Sequence, residues 1–287
     1  MKLTFNTLVF LLMIIASMSS ALAEELAITT EFKPSATNPA HNEFTNTTPV
    51  SGYCANWTCP AGTFSVRTYI TADYRIINTN SSDPRHHTYQ HLDANWRTAT
   101  LYDKTTRRSI SVRFRISLLG MRLMKDVASW DKDDFNNAGN SPNGNCTGVG
   151  NARGNSQFIY AWNHPEGINT CEKNISNIVL NDVKIDQISI GYEMKVIESP
   201  MTIANGEYVG SITYNIGNNK EIDLGQADYT DNELKINITA SVQHEFRVAS
   251  SGPTRIELEP TGGWDIVRGG ATEARLEGRS SYSLTAS

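Results

Sequence analysis

Cysteine is scarce, neither sign of charge dominates, and long apolar runs are confined to the first residues. The 287-residue chain holds 4 Cys, 25 Lys+Arg against 30 Asp+Glu, and a formal net charge of -5. Without a basic excess there is no broad electrostatic surface for a phosphate backbone, so no nucleic-acid partner is expected. Cysteines this few trim loops but do not substitute for a hydrophobic core. No Gly-rich phosphate loop, G-x-S-x-G elbow, H-E-x-x-H helix or C-x-x-C zinc spacing occurs. No sustained i, i+3, i+4 apolar pattern follows the first residues, which removes the α/β nucleotide-binding architectures. At 39% hydrophobic and 19% charged residues, the composition is nevertheless that of a chain able to bury a core.

Residues 1–23 read as a secretory signal: Lys2 gives a positive start, Leu8 to Ala16 is an unbroken apolar run, and Ala21-Leu22-Ala23 is a small-residue cleavage site. The run is well short of the ~20 residues that cross a bilayer. Export with Glu24 as the new N-terminus is expected, leaving 24 basic against 30 acidic residues and a charge of -6. An oxidising compartment makes disulfides the default for Cys54, Cys59, Cys146 and Cys171. Four cysteines allow three connectivities. The local pairs Cys54/Cys59 and Cys146/Cys171 are favoured, because each closes a short loop at small entropic cost.

Period-two alternation dominates the strongest segments. It runs through Ile110, Val112, Phe114, Ile116 and Leu118; through Ile188, Ile190, Tyr192, Met194 and Val196; through Tyr208, Gly210, Ile212, Tyr214 and Ile216; and from Leu234 to Val248. Before Ile188 the phase shifts by one from Val183 and Ile185, which predicts a bulge. A short helix is expected near Met121 to Asp126. Turn residues such as Gly217-Asn218-Asn219 and Asn205-Gly206 separate the runs. The fold class is therefore all-β, read as two β-sandwich domains: residues 24–181, holding every cysteine and four tryptophans, and residues 182–287, with cleaner alternation. No internal repeat is visible.

Chemistry-bearing residues are sparse. His86, His87 and His91, between Asp83 and Asp93, are the candidate metal ligands, and with them comes the alternative of a secreted metal-dependent hydrolase; a glycosidase acting through two spatially paired acids is the other enzymatic alternative. Asp131, Asp133 and Asp134 lack the Gly and closing Glu of a calcium loop. Aromatic residues in polar, Asn-rich segments fit a sugar ring or peptide better: Trp57, Tyr89, Trp96, Trp130 and Trp162, with Tyr160, are the candidate ligand-binding residues. The chain thus reads as a binding protein and not an enzyme, and no cofactor is expected. Six N-x-Ser/Thr sequons, at Asn46, Asn56, Asn80, Asn145, Asn174 and Asn237, follow from the abundance of those residues.

The signal, the segment Asn46-Thr47-Thr48-Pro49-Val50-Ser51-Gly52-Tyr53-Cys54 with its nearby second cysteine, and the run Gly206 to Gly217 together resemble bacterial chaperone-usher fimbrial adhesins. The stretch Leu234 to Val248, followed by Leu258 to Trp264, is similar too. The resemblance implies an N-terminal receptor-binding sandwich and a C-terminal immunoglobulin-like, pilin-like sandwich lacking a strand. It implies export through the periplasm to the fimbrium and cell surface. It also implies a periplasmic chaperone and a neighbouring pilus subunit as strand-donating partners, and a host glycan or protein as receptor.

Overall fold

The computed structural model describes residues 23–33, 43–78, 80–124, 142–154, 157–167, 169–173 and 179–244. Their strands are β1 (Ala23–Phe32), β2 (Thr45–Asn46), β3 (Phe64–Arg67), β4 (Ala72–Asn78), β5 (Thr88–Leu92), β6 (Arg97–Asp103), β7 (Ser109–Met124) and β8 (Thr147–Arg153). They continue with β9 (Gln157–Asn163), β10 (Thr170–Lys173), β11 (Val179–Val196), β12 (Gly206–Asn215), β13 (Ile222–Asp223), β14 (Ala227–Tyr229) and β15 (Glu233–Val242). Only three short 3-10 turns interrupt them among the described residues, so the fold is all-β.

All four alternating runs form strands, lying in β7, β11, β12 and β15. In β15 every second residue, Leu234, Ile236, Ile238, Ala240 and Val242, is buried. Each such Leu or Ile contributes about 1.5–3 kcal/mol over an exposed one. The run read as far as Val248 leaves the strand after Val242, and residues 245–287 lie outside the described residues, as do 1–22 of the expected signal. The phase shift before Ile188 is a register shift against β7 between Ile185 and Gln187. The expected helix is a correction: Met121–Met124 is the end of β7, because Leu119, Met121 and Leu123 continue the buried alternation and β9 and β11 flank them on both edges.

Twelve strands form one sheet with the path β14-β4-β11-β7-β6-β12-β15-β1-β2; β3 pairs with β11, β9 with β7 and β8 with β9. A second sheet has the order β10-β5-β13. The boundary expected after Asn181 falls inside β11, and strands from before and after it neighbour each other along the sheet, so a division there would cut β11. The first strand, β1, runs parallel to β15 over ten register pairs from Ala23↔Glu233 to Phe32↔Val242. Pairing between residues so distant in sequence carries no local signal, and β1 was not among the strands its sequence announced.

The sheet curls so that β2, at one end of the path, comes back within side-chain reach of β11. Tyr192 of β11 donates its phenolic hydrogen to Asn46 Oδ1 of β2 at 2.9 Å, although six strand-to-strand steps separate β11 and β2 along the path. No backbone ladder joins β2 to β11 among the described residues, so side chains close this seam. On the outer face of β7, the loop bearing the Cys54–Cys59 disulfide lies flat on the strand. It fits because position 120 is glycine: a Cβ there would stand 2.0 Å from the Tyr53 ring. Trp57 stacks on that ring with centroids 5.2 Å apart.

Candidate ligand pocket

The seam opens into a cavity of about 430 Å³, within the ~300–1,000 Å³ range of small-ligand sites. Phe44, Phe64, Tyr192 and Met194 supply apolar wall, and Thr30, Asn46, Glu43 and Lys195 supply polar groups of both charge signs. Register places the walls. Phe64 of β3 and Tyr192 of β11 are direct cross-strand partners, their rings 6.0 Å apart. Tyr192 then stacks on Phe114 of β7 at 5.5 Å. Phe44 packs on Phe32, the last residue of β1, at 6.0 Å.

Burial pushes the Tyr192 phenol above its ordinary value, and its bonds with Thr48 and Asn46 offset only part of that. The group is therefore a neutral hydroxyl, held by Asn46 and set among rings. Flat apolar walls with an amide, a hydroxyl and a charged rim are the elements that orient a polyol ring: carbon–hydrogen faces lie on the aromatics and hydroxyls find the polar edges.

The aromatic row continues away from the seam to Tyr214, whose ring is 6.5 Å from Phe114. There Arg97 lies with its guanidinium carbon 3.9 Å from the Tyr214 ring centre and pairs with Asp93 and Glu221. Burial raises the pKa of both acids, but the bonds from Arg97 and neighbouring amides outweigh it, so both are held below the ordinary 3.8 and 4.5. A depressed folded pKa contributes stability above the unfolded value and loses it as pH falls through the folded one. Arg97→Gln should therefore cost about 1–2 kcal/mol at neutral pH, the sites being only partly buried. The deficit should shrink as pH falls below the ordinary carboxylate range. Urea unfolding of both proteins across pH 2.5–7 checks it; a pH-independent deficit would refute the assignment.

The residues singled out in sequence scatter. Trp162 is fully buried in a ladder with Tyr160, centroids 4.8 Å apart, and Tyr89 is 7% exposed, so both rings pack in the interior away from the seam. Trp57 is half-buried against Tyr53 and Gly150. Trp96 is half-buried on the outer face of the sheet. Trp130, with Asp131, Asp133 and Asp134, lies outside the described residues. None of them lines the seam.

The three histidines are held apart. His86 Nδ1 meets Ser81 Oγ at 2.8 Å, His91 Nδ1 meets Thr170 Oγ1 at 2.8 Å, and the buried His87 spans Glu172 Oε2 at 2.9 Å and the Ser81 carbonyl at 3.0 Å. Among the described residues, the one set of three ligand-type side chains with converging donor atoms is Cys146, His164 and Cys171. Those sulfurs are bonded to each other as a disulfide, which leaves no thiolate for a metal. Both local disulfides, Cys54–Cys59 and Cys146–Cys171, are formed. Comparison with known proteins finds no matching family model, curated protein or solved structure.

Proposed function

We propose that this chain is an adhesin-like recognition protein whose seam pocket holds a saccharide. The carrying observation is the pocket itself: three aromatic rings and the Tyr192–Asn46 hydrogen bond, gathered from Phe44, β2, β3 and β11 where the curled sheet stops short of closing. The exported, all-β character read from the sequence and its resemblance to fimbrial adhesins support the same reading. Attachment to a neighbouring subunit by strand addition is supported by the outer edge of β1. There β2 pairs only with Thr30 and Glu31, and no strand lies against Ala23–Ile28 among the described residues. Main-chain groups on such an edge are a template for an incoming strand.

The test is a saccharide array probed with the purified exported chain and with Asn46→Ala and Phe44→Ala. A defined saccharide set should bind, and each variant should weaken it about tenfold, the equivalent of one well-placed hydrogen bond or stacking contact. An array on which the wild type binds nothing, or on which both variants equal it, would remove the proposal.

A further inference from the structure

A second surface, sharing only Lys195 with the seam cavity, is built around Trp96. On the outer face of the sheet, Arg113 of β7 and Lys195 of β11 are direct cross-strand partners, and Arg115 lies two residues further along the same face opposite Glu193. All three cations converge on one indole: the Trp96 ring centre is 5.0 Å from Arg113 Cζ, 5.3 Å from Arg115 Cζ and 5.6 Å from Lys195 Nζ. The indole itself is half-buried, so part of its surface stays open beside these cations.

The charge here is only partly compensated, unlike that of Arg85, Arg97 and Arg122. Arg85 is paired with Asp223, Arg97 with Asp93 and Glu221, and Arg122 with Asp186. At Trp96, one carboxylate, Glu193, serves three cations by bonding Arg115 Nη2. Arg115 Nε and Nη1 are buried with no hydrogen-bond acceptor among the described residues. Arg113 and Lys195 are exposed. In a chain of net charge -5 this concentrates positive charge at one aromatic platform. Such a platform selects a ring that stacks and carries an anion beside it.

We infer that the Trp96 surface binds an acidic saccharide, its pyranose ring stacked on the indole and its carboxylate or sulfate held by Arg113 and Lys195. The alternative occupant of a cationic aromatic patch is an anionic membrane. One indole and the exposed Ile197 beside Lys195 offer far less apolar surface than membrane insertion uses, whereas a single pyranose matches one indole face.

The inference stands apart from the seam reading, and its test keeps them apart. Calorimetric titrations would use a sialylated trisaccharide, its desialylated counterpart, a sulfated disaccharide, and vesicles containing an anionic phospholipid. The proteins are wild type, Arg113→Glu, Arg113→Gln, Trp96→Phe, Tyr192→Phe and Lys220→Glu, the last carrying the same charge change at an exposed lysine elsewhere. Lys195 borders both surfaces, so Arg113 is the discriminating position.

One or both acidic saccharides should bind at least about tenfold tighter than the neutral one, with affinity falling as salt rises. Arg113→Glu should weaken that binding about tenfold, and Arg113→Gln by less, while Lys220→Glu and Tyr192→Phe leave it unchanged. Whichever acid binds identifies the anion. Equal binding of neutral and acidic sugars, indifference to Arg113→Glu, an equal effect of Lys220→Glu, or binding to vesicles without binding to either acidic saccharide would overturn it.

Discussion

Replacing Cys146 and Cys171 together by alanine should lower stability by about 3–4 kcal/mol, the chain-entropy value for a loop of this length. The bridge closes a separation of 25 residues and is almost wholly buried, Cys171 being 1% and Cys146 7% exposed. It also joins two layers. Cys146 immediately precedes β8 of the large sheet and Cys171 lies in β10 of the small one. Losing it should release the small sheet first, so amide exchange in β5 and β10 should quicken more than in β7 or β11. Removing Cys54–Cys59, which closes a separation of 5 residues, should cost nearer to about 2 kcal/mol by the same relation. Urea unfolding reads both; a smaller loss for the longer bridge would contradict this ordering.

Tyr192→Ala should cost about 3–5 kcal/mol, as truncation of a fully buried aromatic does. The ring is 0% exposed, lies against Phe114 and Phe64, and carries the hydrogen bond that spans the seam. Tyr192→Phe separates these contributions. It retains the stacking and should lose only about 1 kcal/mol, the net worth of one hydrogen bond. Thermal unfolding of the two variants checks the contrast. Similar losses for both would mean that the hydroxyl, and not the ring, holds the seam.

The strands were legible because burial imposes alternation. Ile188, Ile190, Tyr192 and Met194 turn one way and Glu193 and Lys195 the other, and the one-residue slip before Ile188 announced the bulge seen between Ile185 and Gln187. The disulfides were legible because short loops close readily in the unfolded chain. The sheet order was not. Ala23–Phe32 pairs with a strand more than two hundred positions later, and β11 crosses the place where composition changes. Composition reports where cysteine and tryptophan fall, whereas layering depends on which strands meet.

The pocket was hidden for the same reason. Tyr192 carried a clear core signal, and Asn46 sat in a polar segment with no sign that 146 positions separate two atoms only 2.9 Å apart. Tryptophan in Asn-rich surroundings pointed elsewhere, and for Trp162 the ring proved too useful to the interior to remain outside. Trp96 is the exception. Its aromatic character was visible, but its three cations come from strands whose pairing only folding reveals.

The most direct measurement is a titration of isotope-labelled protein with the neutral saccharide that binds most tightly on the array, read residue by residue through backbone amide shifts. Saturable shifts at Phe44, Asn46, Phe64, Tyr192 and Met194, with the midpoint moved to about tenfold higher ligand concentration by Asn46→Ala, are the predicted result. Saturable shifts confined to other parts of the sheet, with these five amides unmoved, would show that the seam is not where the ligand sits.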